Sequence, residues 1–189
     1  MKVAWAEVKE KFNVSADFKD FKKFIGIPFI SILKELDINE RDFISIKKKY
    51  SEIASKNKKL IKLNPYVNEL ITWLRGKKIK VAIVTSKDYA RTMDLLEYFD
   101  LQVDAVVTPE QTFRGKPYPD PLFKAAELLS INIKEAIFIG DMISDMRAAS
   151  KARCLYLHYT SGYQKINATQ YGGLIDSLLE IKEFISFYK

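Results

Sequence analysis

Apolar residues recur every three or four positions from Trp5 onwards, which is the spacing of helices that bury one face. A helix capped by Ser15 is expected to end at Gly26, and a longer, more charged helix is predicted over residues 42–60. No strand-like alternation interrupts this part of the chain. We therefore predict a helical domain over residues 1–63.

From residue 64 onwards, short apolar runs alternate with helical patterns. Strands are predicted at KVAIVTS, DAVVT, AIFIG and CLYLHY, and a closing helix is predicted to carry apolar positions from Leu174 to Tyr188. Nearly continuous apolar strands that alternate with helices indicate a parallel sheet covered on both faces. The predicted fold class is α/β, with a Rossmann-like parallel sheet over residues 64–189.

Composition and charge narrow the function classes. Hydrophobic residues make up 48% of the 189 residues, which is enough for a sizeable core, and no apolar run approaches the roughly 18–20 residues of a membrane span. Cys154 is the only cysteine, so a reducing, cytoplasmic setting fits best. The net charge is +7, but the lysine clusters lack the aromatic or zinc-ligand patterns of nucleic-acid-binding modules, so solvated surfaces are the simpler interpretation. We expect neither a membrane nor a nucleic-acid partner.

The chemistry is expected at the carboxyl ends of the strands, where ligands of parallel sheets bind. Thr85 and Ser86 end the first strand, and their hydroxyls together with a helix start can hold an anionic oxygen. Lys116 lies in a proline-rich loop that can hold it as a positioned charge. Asp141 and Asp145 follow the third strand and offer hard oxygen ligands for Mg²⁺. Taken singly, each group also fits a purely structural role. Thr85 and Ser86 could simply end a strand, Lys116 could be a surface lysine, and Asp141 and Asp145 could be acids at a helix start.

Together, these motifs resemble the haloacid dehalogenase superfamily, especially its phosphoglycolate-phosphatase-like branch. The stretches IKVAIVTSK, RGKPYPDP and IFIGDMISDMRAA resemble that family's second, third and fourth motifs. The helical segment, including FKKFIGIPF, resembles the helical cap that these enzymes insert after their first strand. We call residues 1–63 the cap and residues 64–189 the core.

The resemblance implies roles for particular residues. Thr85 would bind the transferring phosphoryl group, with Ser86 beside it, and Lys116 would neutralise the phosphate, so that Thr85 and Lys116 are the expected catalytic residues. Asp141 would hold Mg²⁺ and Asp145 would help to position it. The loop at Gly26 would face the site and help to select the substrate, although Gly26 is also compatible with a simple helix end.

The family's first motif, a strand that ends in Asp-x-Asp, does not occur in this sequence. In the family its first aspartate attacks phosphorus and its second serves as general acid and base. None of the twelve aspartates has another two positions away. The first core strand, which the family places between the strands that end at Thr85 and at Asp141, is therefore expected to be absent from this chain. Either Met1 is internal to a longer protein, or the short chain is genuine and its flanking strands close up or borrow a strand.

The resulting expectation is a Mg²⁺-dependent phosphatase of a small phosphorylated metabolite in full-length form, with the present chain truncated and lacking the nucleophile. The alternative is a non-catalytic protein on the same scaffold that binds a phosphorylated ligand or has a regulatory role. An unfilled central strand position would favour strand exchange between chains, so a homo-oligomer is also considered.

Overall fold

The computed structural model describes residues 1–166 and 172–187. Residues 1–63 form short helices joined by tight turns. Their bounds are α1 (Lys2–Phe12), α2 (Phe18–Lys23), α3 (Phe29–Glu35) and α4 (Phe43–Lys56), and 3₁₀ turns at Glu40–Asp42 and Lys58–Leu60 flank α4. Their apolar faces bury a cluster that includes Trp5, Phe21, Leu33 and Ile46. Burial of these side chains is what stabilises helices too short to persist alone.

Three predicted helix bounds in the cap are wrong. The helix predicted over residues 42–60 ends at Lys56, because Asn57 closes it by donating its side-chain amide to the Ile53 carbonyl at 2.9 Å. Helix α2 begins after Asp17 rather than Ser15, because the Asp20 carboxylate accepts the Asp17 backbone N–H at 3.2 Å and satisfies a free donor there. The helix ends at Lys23, three residues before Gly26. Gly26 instead has φ of +111°, a conformation that favours glycine, and it lies in the turn that leads to α3.

The core alternates helices and strands, as predicted. Its elements are α5 (Val67–Gly76), β1 (Ala82–Val84), α6 (Tyr89–Tyr98), β2 (Ala105–Val107), α7 (Asp120–Leu129), β3 (Ile137–Gly140), α8 (Ile143–Ala152), β4 (Leu155–Tyr159), β5 (Gly172–Ile175) and α9 (Glu180–Phe187). Every helix in the described part of the chain is too short or too polar to cross a membrane.

All pairings between these strands are parallel, which confirms the α/β fold class. Successive side chains of β4 point to opposite faces, so Leu157 packs with residues of α5 and α9, whereas Tyr156 packs with residues of α7 and α8. The sheet that contains β4 is thus covered by helices on both sides. Leu174 was predicted in the closing helix but lies in β5 opposite His158, because strand pairing with a distant segment decided its conformation. Tyr188 lies outside the described residues.

The described strands form two separate sheets rather than one. Strand β1 pairs with β2 in the first sheet, and β3, β4 and β5 pair in that order in the second. No described strand joins β1 to β3. A cavity of about 380 Å³ is lined by residues at the ends of both strands, including Val84 and Gly140. The chemistry-bearing residues predicted from the sequence lie around this cavity.

Candidate active site

The fold brings every predicted site residue to one cavity. The carboxyl ends of β1 and β3 both border this cavity although the two strands belong to different sheets, so the residues that follow them converge there. Thr85 and Ser86 follow β1, Asp141 follows β3, Lys116 comes from the loop before α7, and Asp145 lies in the first turn of α8. The lining of the cavity includes Gly26, Thr85, Ser86, Lys116, Asp141 and Asp145. The cap supplies the first of these residues and the core supplies the others.

Lys116 is a buried cation that bridges the two sheets. Its side chain is only 9% exposed, and its Nζ lies 2.7 Å from Asp145 Oδ1. The same Nζ donates to the backbone carbonyl of Val84 at the end of β1, at 3.2 Å, and lies 5.8 Å from the centre of the Phe138 ring on β3. An ammonium group has three N–H donors, and the Val84 carbonyl takes one of them, so the other two can face Asp145 and an anionic ligand.

The two acids occupy different environments. Asp145 is buried beside Lys116; its Oδ2 accepts the Met142 backbone N–H at 3.2 Å, which caps the start of α8. Its Oδ1 makes an ion pair with Lys116 rather than a well-aligned hydrogen bond. Asp141 is half-buried, and its Oδ2 accepts the backbone N–H of Tyr163 at 2.7 Å. Asp141 is therefore the more open carboxylate, and Asp145 is the counter-ion of Lys116.

The donor set fits Mg²⁺ better than a metal that needs a complete protein cage. Among residues 1–166 and 172–187, no three acidic, histidine or cysteine side chains converge on one point. Mg²⁺ is usually held by only one or two carboxylates, with substrate phosphate and water completing its shell. Asp141 and Asp145, which line the cavity together, match that requirement.

A loop after β4 fixes Asp141 from behind, and sequence reasoning missed it. Gly162 packs so closely on Asp141 that a Cβ added to it would lie 2.6 Å from Asp141 Oδ2. Buried His158 holds the loop, since its Nε2 lies 2.7 Å from the Gln164 carbonyl and its Nδ1 lies 2.8 Å from the Tyr156 hydroxyl. His158 thus has a structural role. The glycine within SGYQ was the available signal for a close backbone approach.

The cap contacts the core through the backbone carbonyl oxygen of Gly26. It accepts the hydroxyl of Ser86 at 2.8 Å and that of Ser144, on α8, at 3.0 Å. The Ser86 proton is therefore used for cap contact, whereas the Thr85 hydroxyl accepts the Lys87 backbone N–H at 3.1 Å and keeps its own proton. Thr85 can still donate to an anionic oxygen, but Ser86 cannot do so in this arrangement.

Two cations in the lining were not singled out from the sequence. Lys87 directly follows Ser86, and Arg91 lies one helical turn further on, in α6. The pKa of Lys87 is lowered, because removal from bulk water and the charges of Arg91 and Lys116 disfavour its ammonium form. The only signal for Lys87 and Arg91 in the sequence was their position shortly after a strand end, and many basic residues occupy such positions.

Comparison with known proteins identifies the family. The family model described as haloacid dehalogenase-like hydrolase matches residues 3–158. The chain belongs to the haloacid dehalogenase-like hydrolases. The family resemblance inferred from the three motifs is thereby confirmed.

Several curated relatives of this haloacid dehalogenase-like chain are named phosphoglycolate phosphatases. The enzyme from Nitrosococcus oceani is 36% identical over 143 residues, which cover 70% of this chain and 61% of the relative. The Escherichia coli K12 enzyme is 31% identical over 129 residues, which cover 67% of this chain and 48% of the relative. The chain thus spans about half to three fifths of the length of these relatives.

Solved structures share the fold. A hydrolase from Pseudomonas syringae superposes with a TM-score of 0.85 at 23% identity, covering 98% of this chain and 89% of that one. CbbY from Rhodobacter sphaeroides, solved in complex with phosphate, superposes with a TM-score of 0.83 at 17% identity, covering 95% and 88%. At these identities the likeness establishes the architecture alone.

Proposed function

We propose that these 189 residues form the phosphate-binding and metal-binding part of a phosphatase that acts on a small phosphorylated metabolite. The observation that carries the proposal is the convergence of Thr85, Lys116, Asp141 and Asp145 on one cavity of about 380 Å³. A hydroxyl donor, a buried cation and two carboxylates are the groups that phosphoryl transfer requires. The curated relatives named phosphoglycolate phosphatases support the same reaction class.

Each residue has a specific part in this proposal. Thr85 donates its free hydroxyl proton to a phosphoryl oxygen, and Lys116 turns its remaining N–H toward the same group. Because Lys116 is buried, its charge is screened little by water and favours the charge that builds on the phosphoryl oxygens. Gly26 brings the cap over the site and limits the substrate to a small molecule.

The proposed cofactor is Mg²⁺, with Asp141 as its direct protein ligand and Asp145 beside it. When bound, the ion neutralises phosphate charge and orients the ester. We expect Asp141→Asn to lower Mg²⁺ affinity at least ~10-fold, because even residues one shell further from a metal often contribute 10–100-fold. Titration calorimetry with Mg²⁺ measures this directly. Asp100→Asn is the control, since Asp100 is exposed and has φ of +50°, which asparagine tolerates. Equal Mg²⁺ affinities in the two variants would refute the metal site.

The attacking carboxylate is proposed to come from a strand that these 189 residues do not contain. No Asp-x-Asp occurs in the sequence, and no described strand joins β1 to β3. A strand between them would give both exposed strand edges hydrogen-bond partners and would place its last residues at the cavity. The full-length phosphatase would then contain this strand upstream of the present chain.

The decisive experiment is to read the codons upstream of Met1 and to assay both forms. We expect an in-frame apolar strand that ends in Asp-x-Asp, hydrolysis of phosphate esters with Mg²⁺ by the extended protein, and no turnover by residues 1–189. An extended protein that carries the strand but hydrolyses no phosphate ester would count against the proposed activity.

The second candidate is a non-catalytic protein that binds a phosphorylated ligand, and the absence of Asp-x-Asp is the observation that favours it. It requires a stop codon or unrelated sequence before Met1. It also requires micromolar binding of a phosphate ester without turnover. Hydrolysis by residues 1–189 alone would eliminate this candidate.

A further inference from the structure

The carboxylate of Asp141 is held at one oxygen and open at the other. Its Oδ2 accepts the backbone N–H of Tyr163 at 2.7 Å, whereas its Oδ1 accepts no hydrogen bond within residues 1–166 and 172–187. The loop after β4 thus fixes one oxygen and leaves the other for a ligand in the cavity. Because Mg²⁺ demands near-ideal octahedral geometry from only one or two protein carboxylates, the placement of this group should decide how tightly the ion binds.

Gln164, in the same loop, holds this segment at two further points. Its backbone N–H donates to the carbonyl of Asp141 at 3.0 Å, and its side-chain Oε1 accepts the backbone N–H of Ile143 at 2.7 Å. Ile143 is the first residue of α8, where N–H groups have no partner within the helix, and the preceding Met142 has no side-chain oxygen to cap them. Gln164 therefore caps, from a distant part of the chain, the helix that carries Asp145.

His158 in turn holds Gln164. The imidazole is fully buried in β4, and its Nε2 lies 2.7 Å from the Gln164 carbonyl. A carbonyl oxygen only accepts, so Nε2 carries the hydrogen. The other nitrogen of a neutral imidazole is then an acceptor, and the Tyr156 hydroxyl at 2.8 Å is the donor that it needs. The same hydroxyl lies 3.5 Å from the Met142 carbonyl, which is a weaker contact.

These hydrogen bonds connect a buried strand to the segment that carries both acids of the cavity. We propose that His158 and Gln164 are positioning residues of the magnesium site. Gln164 fixes the chain between Asp141 and α8, and His158 fixes Gln164. This inference rests on the proposed function, because it takes Asp141 as the direct ligand of Mg²⁺, and it assigns the affinity for the ion partly to two residues that do not touch it.

The first test removes the side-chain grip of Gln164. Gln164→Met keeps the length of the side chain and deletes the oxygen that caps α8, and we expect it to lower Mg²⁺ affinity about 10-fold in calorimetry, the lower end of what residues behind a metal ligand contribute. Gln102→Met is the matched control. Its Oε1 accepts from the Arg75 guanidinium at 2.7 Å on the surface, and Gln102 does not line the cavity. A folded Gln164→Met variant that binds Mg²⁺ as tightly as Gln102→Met would overturn the proposal.

The second test separates positioning from stability. His158→Leu deletes the donor to the Gln164 carbonyl and should also weaken Mg²⁺ binding about 10-fold. His158→Gln should restore most of the affinity, because its side-chain amide can donate to the same carbonyl. Leu70→Ala removes buried apolar contacts in α5, away from the cavity, so it should lower Tm and leave Mg²⁺ affinity unchanged.

The variants also cover a folding failure. If His158→Leu does not fold, Gln164→Met still decides, since Gln164 is only half-buried and its backbone hydrogen bonds remain. If Leu70→Ala weakens Mg²⁺ binding as much as a folded His158→Leu, lost stability explains both results and the positioning role of His158 is wrong.

The two levels of inference fail differently. If residues 1–189 bind Mg²⁺, Asp141→Asn binds it more weakly, and Gln164→Met binds it normally, the positioning role is wrong and the metal site stands. If residues 1–189 bind no Mg²⁺ at all, both the positioning role and the proposed metal site are wrong.

Discussion

Removal of the Lys116 charge should be unusually costly for stability, because it leaves the Asp145 carboxylate buried without its counter-ion. The two side chains are 9% and 5% exposed, and their charged atoms lie 2.7 Å apart. The perturbation is Lys116→Met, which keeps a chain of similar length and packing and deletes only the ammonium group.

The magnitude follows from burial. Breaking a buried ion pair by removing one partner costs about 3–5 kcal/mol, whereas an exposed pair contributes about 0–1 kcal/mol. The chain supplies a matched exposed pair, Lys124 with Glu127, at the same separation of 2.7 Å but with side chains 31% and 68% exposed. For a protein of this size, each kcal/mol shifts Tm by roughly 2–4 °C, so Lys116→Met should lower Tm by roughly 6–20 °C.

Thermal and denaturant unfolding of four proteins measure this difference. Lys124→Met should change Tm by less than about 4 °C. The double variant Lys116→Met with Asp145→Asn should recover much of the loss, because it removes both buried charges. If Lys116→Met is no more destabilising than Lys124→Met, the argument from burial is refuted, and failure of the double variant to recover stability would point to packing instead.

Three further outcomes are expected. Gly26→Ala should lower the free energy of unfolding by about 1–3 kcal/mol, because φ is +111° and the new Cβ would lie 2.7 Å from Ser144 Oγ; the control Gly76→Ala, with open space around it, should not be destabilising. Gly162→Ala should weaken Mg²⁺ binding in calorimetry by displacing Asp141, and unchanged affinity would contradict the proposed support of that residue. Burial raises the pKa of the Cys154 thiol from 9.0 to about 11, so the unfolded chain loses that proton first and stability falls between pH 9 and 11. Denaturant unfolding across this range should show a smaller fall in Cys154→Ala.

Local sequence patterns predicted correctly those features that depend on one short stretch of chain. Alternating apolar strands and helices predicted the parallel sheet, and three motifs predicted the family. The error at Leu174 had a non-local cause, because β5 is a strand only through its pairing with β4. Four apolar or glycine residues do not by themselves indicate which distant strand they will pair with. Helix α2 was misjudged for a smaller reason, since Ser15 and Asp17 are both good caps and only the contact with Asp20 separates them.

The sequence by itself determined which residue types stand at the strand ends, because apolar runs and the polar or glycine residues that end them can be recognised within one short stretch of chain. Only the tertiary structure decided which contacts each of those residues makes. It placed Asp145 against Lys116 and directed the Ser86 hydroxyl to the Gly26 carbonyl, and within the described residues it put no carboxylate oxygen close to Lys87. The physical reason is that ion pairing, desolvation and cap contact depend on distances between segments far apart in the chain, and those distances are set by packing.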